Sequence, residues 1–348
     1  MVTYPQQVEA RREALDHVVI DTPELNLAAL TPQIREFTRL KVWRGLLAVA
    51  LDWAVIICCF LLALRFHHWA VWVAAAIVIA TRQHALLVLM HDASHYRLLR
   101  NRQWNDRLSN WLLAYPVFLT TATYRRHHLA HHRFLNTDDD PDLMRKKGLE
   151  DWLFPKTRLE LARVLLKDLI GINTLITFKL LVNISKRGKG GATAAKNSGG
   201  QKAAFDYGPV TYYALCLAAI VYSGLWLPVL LLWFVPALTL MAMILRLRII
   251  AEHFGVPNHT QLDMSRNTLY SLPERLLFAP HNVGYHLDHH LHTAIPFYNL
   301  PRFHRLLSSI PSYQQQSKQS HTFWGLSSST VLKDIMSVGT PLSKSAGS

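Results

Sequence analysis

Cysteine is scarce in the 348-residue sequence, which contains only three. Cys58, Cys59 and Cys216 all lie within long apolar runs, where cysteine behaves as a small hydrophobic residue. This placement argues against a disulfide framework and against a set of thiolate metal ligands. The sequence also lacks a glycine-rich dinucleotide motif, a haem-binding domain and the cysteines of an iron–sulfur cluster, so no redox cofactor of those classes is expected.

Charged residues are also few, at 17% of the sequence against about a quarter in an average soluble domain. None occurs among the 39 residues from 207 to 245, a run long enough for two spans of about 20 residues with a turn at Gly224 and Pro228. The apolar runs Gly45–Leu64 and Trp69–Met90 form a similar pair. The sequence therefore predicts an all-α membrane protein with four transmembrane helices in two hairpins, at about residues 45–64, 69–90, 209–226 and 229–249.

Acidic residues are outnumbered by basic ones, 23 to 37, which gives a net charge of +14. Lys and Arg concentrate before the first predicted span, between the second and third, and after the fourth, as expected when these segments face the cytosol. We therefore interpret the positive charge as a signature of topology rather than of nucleic-acid binding. It predicts a multi-pass integral membrane protein, with a bacterial inner membrane as the expected location and both termini and a helical cap in the cytosol.

The sequence divides into a cytosolic N-terminal and interfacial segment, a membrane and cap domain, and a polar tail, at residues 1–42, 43–310 and 311–348. The first forty residues are polar and charged, unlike a signal peptide. Thr31-Pro32 is a typical helix start, and Ile34 and Phe37 would place the apolar face of this helix at the membrane surface. Ser185–Lys202 is expected to form a mobile loop and the C-terminal tail to be loosely ordered.

Histidine, in contrast, is abundant: nine of the 19 histidines fall in three motifs, and eight of these nine recur with similar inner spacing. The motifs HDASH, HHLAHH and HLDHH contribute His91, His95, His128, His131, His132, His286, His289 and His290. Residues three and four apart share a face of a helix, so each motif is expected to aim its imidazoles in one direction. Imidazole is a ligand suited to iron, copper, nickel and zinc, and eight are more than one ion needs. The motifs therefore predict a polynuclear metal centre.

His253 is a ninth candidate ligand because it follows the fourth predicted span within two turns. The predicted topology places all nine histidines near the same membrane surface, where they could converge on one site. A metal transporter would place its ligands near the bilayer midplane, so that alternative is disfavoured. His127 is predicted to be a surface group, because the spacing of its motif favours His128 as the ligand.

Carboxylates close to the motifs could orient the ligand histidines by accepting the second N–H of each imidazole. Asp92, Asp142 and Asp288 are favoured for this role, and Asn282 for supporting a bound water. The run Asp138–Asp140 is instead predicted to be a solvated turn.

Two polar residues, Asp52 and His84, lie within the predicted spans. Asp52 lies in the middle of the first span, where an unpaired carboxylate is costly, and Arg82 or His84 on the second span is the expected partner. His84 is two helical turns before His91, so it either lines the site or is buried and hydrogen-bonded elsewhere.

The motifs lie within HDASH, YRRHHLAHHRFLNTDDDPD and HNVGYHLDHHLHTAIPFYNLPRFH, which resemble the three histidine boxes of the integral-membrane fatty acid desaturases. The similarity extends from about His91 to His304 and includes RNRQWNDRLSNWLLAYP between the first two boxes. It implies two non-haem Fe ions on the cytosolic face, held almost wholly by histidine, and a tunnel for an extended acyl chain. A histidine after the last span belongs to the family pattern, and His253 matches it in position.

The third box departs from the family pattern at two positions. Gly284 and Asp288 stand where the family often has Asn and Glu, whereas the histidines are intact. Because aspartate keeps the carboxylate but shortens the side chain, a contact of that carboxylate is expected to be altered rather than lost.

The resemblance implies O2-dependent insertion of a C=C bond into a fatty acyl lipid or acyl thioester, without catalytic residues beyond the metal ligands. Relatives with the same boxes hydroxylate or ketolate lipids, alkanes or carotenoids, so a monooxygenase is the alternative. Because the sequence has no redox domain of its own, a separate ferredoxin- or cytochrome-type electron donor is expected to dock on the basic cytosolic face.

Overall fold

The computed structural model describes residues 30–177, 206–325 and 329–336, together with Leu25 and Leu27. The loop expected at Ser185–Lys202 lies outside the described residues. Residues 30–177 contain the helices α1 (Thr31–Phe37), α2 (Val42–Phe66), α3 (Trp69–Ser94), α4 (Arg102–Ser109), α5 (Thr121–Arg133), α6 (Pro141–Met144) and α7 (Arg158–Leu169). The remaining helices are α8 (Gly208–Ser223), α9 (Trp226–His253), α10 (Leu272–Leu277), α11 (His286–Leu291), α12 (Leu300–Leu307), α13 (Pro311–Gln316) and α14 (Val331–Met336). The two short strands are β1 (Asn267–Thr268) and β2 (Gln319–Ser320).

Helices α2 and α3 form the first hairpin, and their 25 and 26 residues are long and apolar enough to cross a membrane. Between them His67 adopts a left-handed conformation, and the ring of His68 accepts a hydrogen bond from the backbone N–H of Ala70. Helix α3 is the most buried of the candidate spans, so it forms the centre of the described bundle. Its last turn begins the first histidine motif at His91.

Helices α8 and α9 occupy the positions of the third and fourth predicted spans. Helix α9 extends over 28 residues, includes a π-helical turn at Leu230–Phe234, and is also long and apolar enough to cross a membrane. Helix α8 is apolar but has only 16 residues, or about 24 Å, which is shorter than a hydrocarbon core of about 30 Å. The described residues therefore contain three candidate crossing helices, and a fourth span at residues 209–226 remains a prediction.

The apolar face of α1 contacts protein rather than a membrane surface. Ile34 and Phe37 are buried in a hydrophobic cluster with Leu300 and Phe303 of α12. The side-chain amide of Asn299 also donates to the backbone carbonyl of Phe37 at 2.7 Å. The face that was expected to lie at the interface thus joins the N-terminal segment to the C-terminal part of the chain.

The C-terminal segment is polar in composition, yet its described residues, 311–325 and 329–336, pack against the core. Tyr313, Phe323 and Val331 are completely buried, and β2 pairs in parallel with β1. The carboxylate of Glu274 accepts a hydrogen bond from the backbone N–H of Phe323 at 2.8 Å. For residues 311–325 and 329–336 the expectation of a loosely ordered tail is wrong, because a few separated apolar residues complete the core while most of their neighbours are polar.

Asp52 is paired within the membrane domain, as predicted. Its carboxylate lies 3.1 Å from Nη1 of Arg82 on the neighbouring helix. It also lies 2.7 Å from Nε2 of His281, a residue just before the third histidine motif that the sequence did not suggest as a partner. The buried carboxylate therefore joins the first hairpin to the C-terminal part of the chain.

Replacement of Phe323 by Ala tests whether the C-terminal segment is part of the core. Loss of a fully buried aromatic side chain should lower the free energy of unfolding by about 3–5 kcal/mol. Thermal unfolding of the detergent-solubilised protein would measure the effect, with Lys333→Ala, at an exposed position of α14, as the control. Equal stability of the two variants would contradict the packing described here.

Candidate metal centre

All nine predicted histidines converge in the structure, where they form two groups. The five-histidine group consists of His91, His95, His128, His132 and His289. The four-histidine group consists of His131, His253, His286 and His290. Within each group one ligand atom from every residue lies within 4.8 Å of all the others, so each group could bind a metal ion.

The motifs do not map one to one onto the groups. On α5, His128 and His132 point into the five-histidine group, whereas His131 joins the four-histidine group. On α11, His286 and His290 point into the four-histidine group and the intervening His289 into the other. The expectation that each motif aims in one direction is wrong for these two. On each helix, the two histidines four residues apart enter the same group. The third histidine is next to one of them in the sequence, so it is rotated from that residue by about 100° around the helix axis and enters the other group.

The ring nitrogens within each group lie at distances that fit a metal ion. In the five-histidine group, Nε2 of His128 lies 3.0 Å from that of His95 and 2.9 Å from that of His132. In the four-histidine group, Nε2 of His286 lies 2.9 Å from that of His253 and 3.0 Å from that of His290. Two nitrogens that lie about 3.0 Å apart and subtend a right angle at a common point are each about 2.1 Å from that point. This is a usual metal–imidazole distance.

Hydrogen bonds between the imidazoles do not account for this arrangement. A neutral imidazole has a single N–H, so several Nε2 atoms that face one another cannot all be paired. Nε2 of His91 is buried and has no hydrogen-bond partner among the described residues. A central cation would use these convergent lone pairs, and the donor set therefore fits a metal.

Burial favours the neutral form of imidazole, which metal binding requires. It lowers the pKa of His95 to about 4 and that of His132 to about 2, and the charge that neighbouring histidines would carry lowers the pKa of His132 further. The pKa values of His128, His286 and His289 are also well below the usual range, mainly because these rings are buried. Near neutral pH these side chains are therefore uncharged, as metal ligands must be.

A carboxylate that was predicted to be solvated instead contacts one of the candidate ligand histidines. Asp140 is almost completely buried, and its two oxygens lie 3.0 and 3.1 Å from Nδ1 of His131. The same oxygens accept backbone N–H groups of Asn136 and Asp142, which fixes the carboxylate. A proton on Nδ1 of His131 would be accepted by this carboxylate and would leave Nε2 free to bind a metal. The prediction of a solvated turn is wrong for Asp140.

Glu252 makes a similar contact in the four-histidine group. Its carboxylate lies 3.4 Å from Nδ1 of His286 and accepts a hydrogen bond of 2.7 Å from Nε of Arg248. All three side chains are buried, so the pair with Arg248 holds the carboxylate of Glu252 beside His286.

The predicted orienting carboxylates Asp92 and Asp142 lie close to the groups but at longer distances. An oxygen of Asp92 is 3.9 Å from Nδ1 of His91, and the carboxylate accepts the backbone N–H of Phe297 at 2.9 Å. Asp142 is 3.9 Å from Nδ1 of His131 and 3.6 Å from that of the half-buried His127. Their role toward the ligands remains a prediction.

Asp288 points away from the groups into a buried polar network. Its carboxylate accepts hydrogen bonds from Tyr313 and from Asn267, the latter at 2.8 Å, and lies 2.8 Å from Nδ1 of His304. No contact with a ligand histidine occurs among the hydrogen bonds of this carboxylate in the described part of the chain. Asp288 thus ties the third motif to the C-terminal segment.

Asn282 and His84 are placed differently from the ligand histidines. The amide of Asn282 donates to the backbone carbonyl of Phe297 at 3.1 Å and accepts from Arg275 at 3.4 Å. His84 is completely buried, and neither ring nitrogen has a hydrogen-bond partner among the described residues. The alternative of a hydrogen-bonded core histidine is therefore not supported for His84, and a role of Asn282 in holding water remains a prediction.

Gly284, the other departure from the family pattern, is required by a close backbone approach. Its carbonyl accepts the N–H of Thr268 at 2.8 Å, and a Cβ at this position would lie 2.2 Å from the Thr268 carbonyl oxygen and 2.7 Å from the Tyr270 ring. Glycine therefore allows β1 to pack directly beneath the third motif.

Residues 67–321 match the family model described as fatty acid desaturase. The chain belongs to the fatty acid desaturase family. Over 276 residues it is 29% identical to dihydrorhizobitoxine desaturase of Bradyrhizobium elkanii, covering 77% of this chain and 76% of that protein. It is 26% identical over 258 residues to sphingolipid delta(4)-desaturase of Mus musculus, covering 69% and 68% of the two chains.

A third relative has a dual name. The chain is 27% identical over 252 residues to sphingolipid delta(4)-desaturase/C4-monooxygenase of Homo sapiens, covering 69% of this chain and 66% of that protein. Family membership makes this desaturase an oxidoreductase and an integral membrane protein, in agreement with its apolar helices. The family uses iron, O2 and lipid substrates, and the two histidine groups could bind metal.

Replacement of Asp140 by Asn should weaken metal retention, because the amide cannot accept from His131 and both backbone N–H groups in the present arrangement. Loss of such an orienting group typically lowers metal affinity by about 10- to 100-fold. Metal content after dialysis against a chelator would measure the loss. Asp139→Asn, at the exposed neighbouring position, is the control, and equal metal content of the two variants would exclude an orienting role.

Replacement of Gly284 by Asn, the residue that the family often has there, should disrupt the third motif. The new Cβ would collide with the Thr268 carbonyl, so we expect loss of metal and a lower unfolding temperature. Gly224→Asn is a matched control, because its surroundings are open and asparagine tolerates the left-handed conformation. A stable, metal-containing Gly284→Asn protein would show that β1 can move away.

Proposed function

We propose that this protein catalyses O2-dependent desaturation of a fatty acyl chain at a centre of two non-haem Fe ions. The five-histidine group would hold one ion and the four-histidine group the other. The observation that carries the proposal is the convergence of nine buried or half-buried imidazoles into two adjoining groups, with ligand atoms at metal-binding distances. When bound, iron would supply the O2-activating redox chemistry that no side chain provides.

The protein contributes orientation, neutrality and exclusion of water. Asp140 and the Arg248–Glu252 pair would hold His131 and His286 in the tautomer that leaves Nε2 free. Burial favours the neutral form of imidazole and shields the site from solvent. A donor set made of neutral imidazoles would leave more positive charge on the irons than the carboxylate-rich sites of soluble di-iron bundles.

The location of the groups relative to the apolar helices supports a membrane-resident substrate. His91 lies at the end of α3 and His253 at the end of α9, both at the same side of the bundle. A lipid acyl chain or acyl thioester could therefore reach the histidines from the apolar region between the helices. With the basic segments in the cytosol, the active site and both termini would be cytosolic, and the membrane would be a bacterial inner membrane.

The relatives differ in the substrates that their names indicate. One is named for dihydrorhizobitoxine and the others for sphingolipids, so the family relationship leaves the substrate head group open. We propose a fatty acyl lipid or acyl thioester because the apolar helices end directly at the histidine groups.

Monooxygenation of a lipid is the second candidate function. The human relative is named both a desaturase and a C4-monooxygenase. Both reactions would use the same histidine groups. The outcome would depend on the placement of the substrate C–H bonds.

Electrons would come from a separate ferredoxin- or cytochrome-type protein. The sequence contains no cysteine set for an iron–sulfur cluster and no dinucleotide motif, and its net charge is +14. An acidic donor would be attracted to the basic segments beside the histidine groups, and the attraction would weaken as salt is added.

Lipid analysis of a host that expresses the protein tests the proposed reaction. Mass spectrometry should detect acyl lipids that have lost two hydrogen atoms, and His131→Ala should abolish them because a ligand is removed from the four-histidine group. His259→Ala, which replaces an exposed histidine outside both groups, is the control.

Lipids that gain an oxygen atom would favour the monooxygenase instead. Unchanged lipids with a fully metal-loaded protein and a competent electron donor would contradict both reactions.

A further inference from the structure

Helix α10 exposes an apolar surface that the hydropathy pattern does not assign to the membrane. It starts with a capping box in which Ser271 and Glu274 bond each other's backbone N–H groups. Three of its leucines, Leu272, Leu276 and Leu277, are 67%, 61% and 52% exposed. Three leucines exposed on one short helix form an apolar surface that needs a partner other than water.

Contacts with the spans set the depth of this helix. Nη2 of Arg82 donates to the backbone carbonyl of Leu276 at 3.0 Å, and Nε2 of His281 lies 2.7 Å from the carboxylate of Asp52. Asp52 lies seven residues beyond Gly45, where the apolar part of α2 begins, or about 10 Å along the helix. Arg82 lies nine residues before His91, or about 13 Å along α3.

Hydrophobic contacts place the chain around α10 at the same depth along the spans. Phe278 and Val283 belong to the same buried cluster as Ala80 of α3 and Ile244 of α9. Ala80 lies still farther from the histidine groups along α3 than Arg82 does. The chain around α10 therefore packs against the flanks of two candidate spans, below the level at which their histidines begin.

The polar groups of the segment are compatible with a lipid environment. The buried carboxylate of Glu274 is satisfied by Ser271, Thr322 and the backbone N–H of Phe323, and Arg82 satisfies the carbonyl of Leu276. Non-helical backbone at membrane depth is tolerated where protein groups satisfy it in this way. Nη2 of the exposed Arg275 donates to Oδ1 of Asn282 at 3.4 Å, while the aliphatic part of its side chain can stay in the apolar layer.

We infer that residues 271–281 form a re-entrant segment immersed in the leaflet next to the histidine groups. Leu272, Leu276 and Leu277 would contact phospholipid acyl chains, and the mid-span pair of Asp52 and Arg82 would anchor the segment at that depth. A six-residue helix is far shorter than the roughly 20 residues of a span, so sequence hydropathy places it in the cytosolic cap. The inference goes beyond the proposed reaction and requires neither bound iron nor substrate.

The test uses the full chain in phospholipid nanodiscs, with Cys58, Cys59 and Cys216 replaced by Ala and a single cysteine introduced at Leu276. A fluorophore attached there should lose its emission when the lipids carry brominated acyl chains and should keep it when iodide is added to the water. Leu61→Cys, at an exposed position of α2, is the membrane control, and Gln315→Cys, at an exposed position of α13, is the water control.

The result expected is that the label at Leu276 behaves like the label at Leu61. Quenching by iodide as strong as at Gln315 would overturn the inference, because the helix would then lie in water. Protection from both quenchers would overturn it too, since a protein partner would then cover the leucines. Leu277→Cys provides a second position if the first variant fails to fold.

Discussion

Burial of many neutral imidazoles in one place is the constraint on which the rest of the structure depends. A buried ring nitrogen without a partner destabilises a fold by about 1–3 kcal/mol, and these histidines cannot satisfy one another because each has one N–H. Packing of the surrounding protein must therefore offset this unfavourable free energy, which a bound metal would remove. Helix α3, the most buried of the candidate spans, provides the rigid base, and α5 and α11 bring the other motifs to its end.

The two departures from the family pattern have one physical explanation. Gly284 allows the backbone of Thr268 to approach, and the shorter side chain of Asp288 accepts a hydrogen bond from the neighbouring Asn267. Both residues therefore face β1, which pairs with β2 of the C-terminal segment. In this desaturase the short parallel pair of β1 and β2 supports the third motif. Gly284 and Asp288 are the residues of the third box that fit against this pair.

The sequence predicted the parts of the molecule that follow from periodicity and composition. The apolar runs became α2, α3 and α9, the nine histidines converged, and Asp52 pairs with Arg82. Contacts that depend on tertiary packing were not predictable. Asp140 reaches His131 because a tight turn folds back on α5, and nothing in a run of three aspartates distinguishes the buried one from its exposed neighbours.

The division of α5 and α11 between the two histidine groups has a mechanical consequence. Each of these helices is a stiff body that carries histidines into both groups. Neither helix can therefore shift or rotate without displacing histidines of both groups at once. The two groups therefore cannot be distorted independently of each other. A disturbance that reaches either helix, from the C-terminal strands or from the membrane side, is transmitted to the whole centre as a single movement.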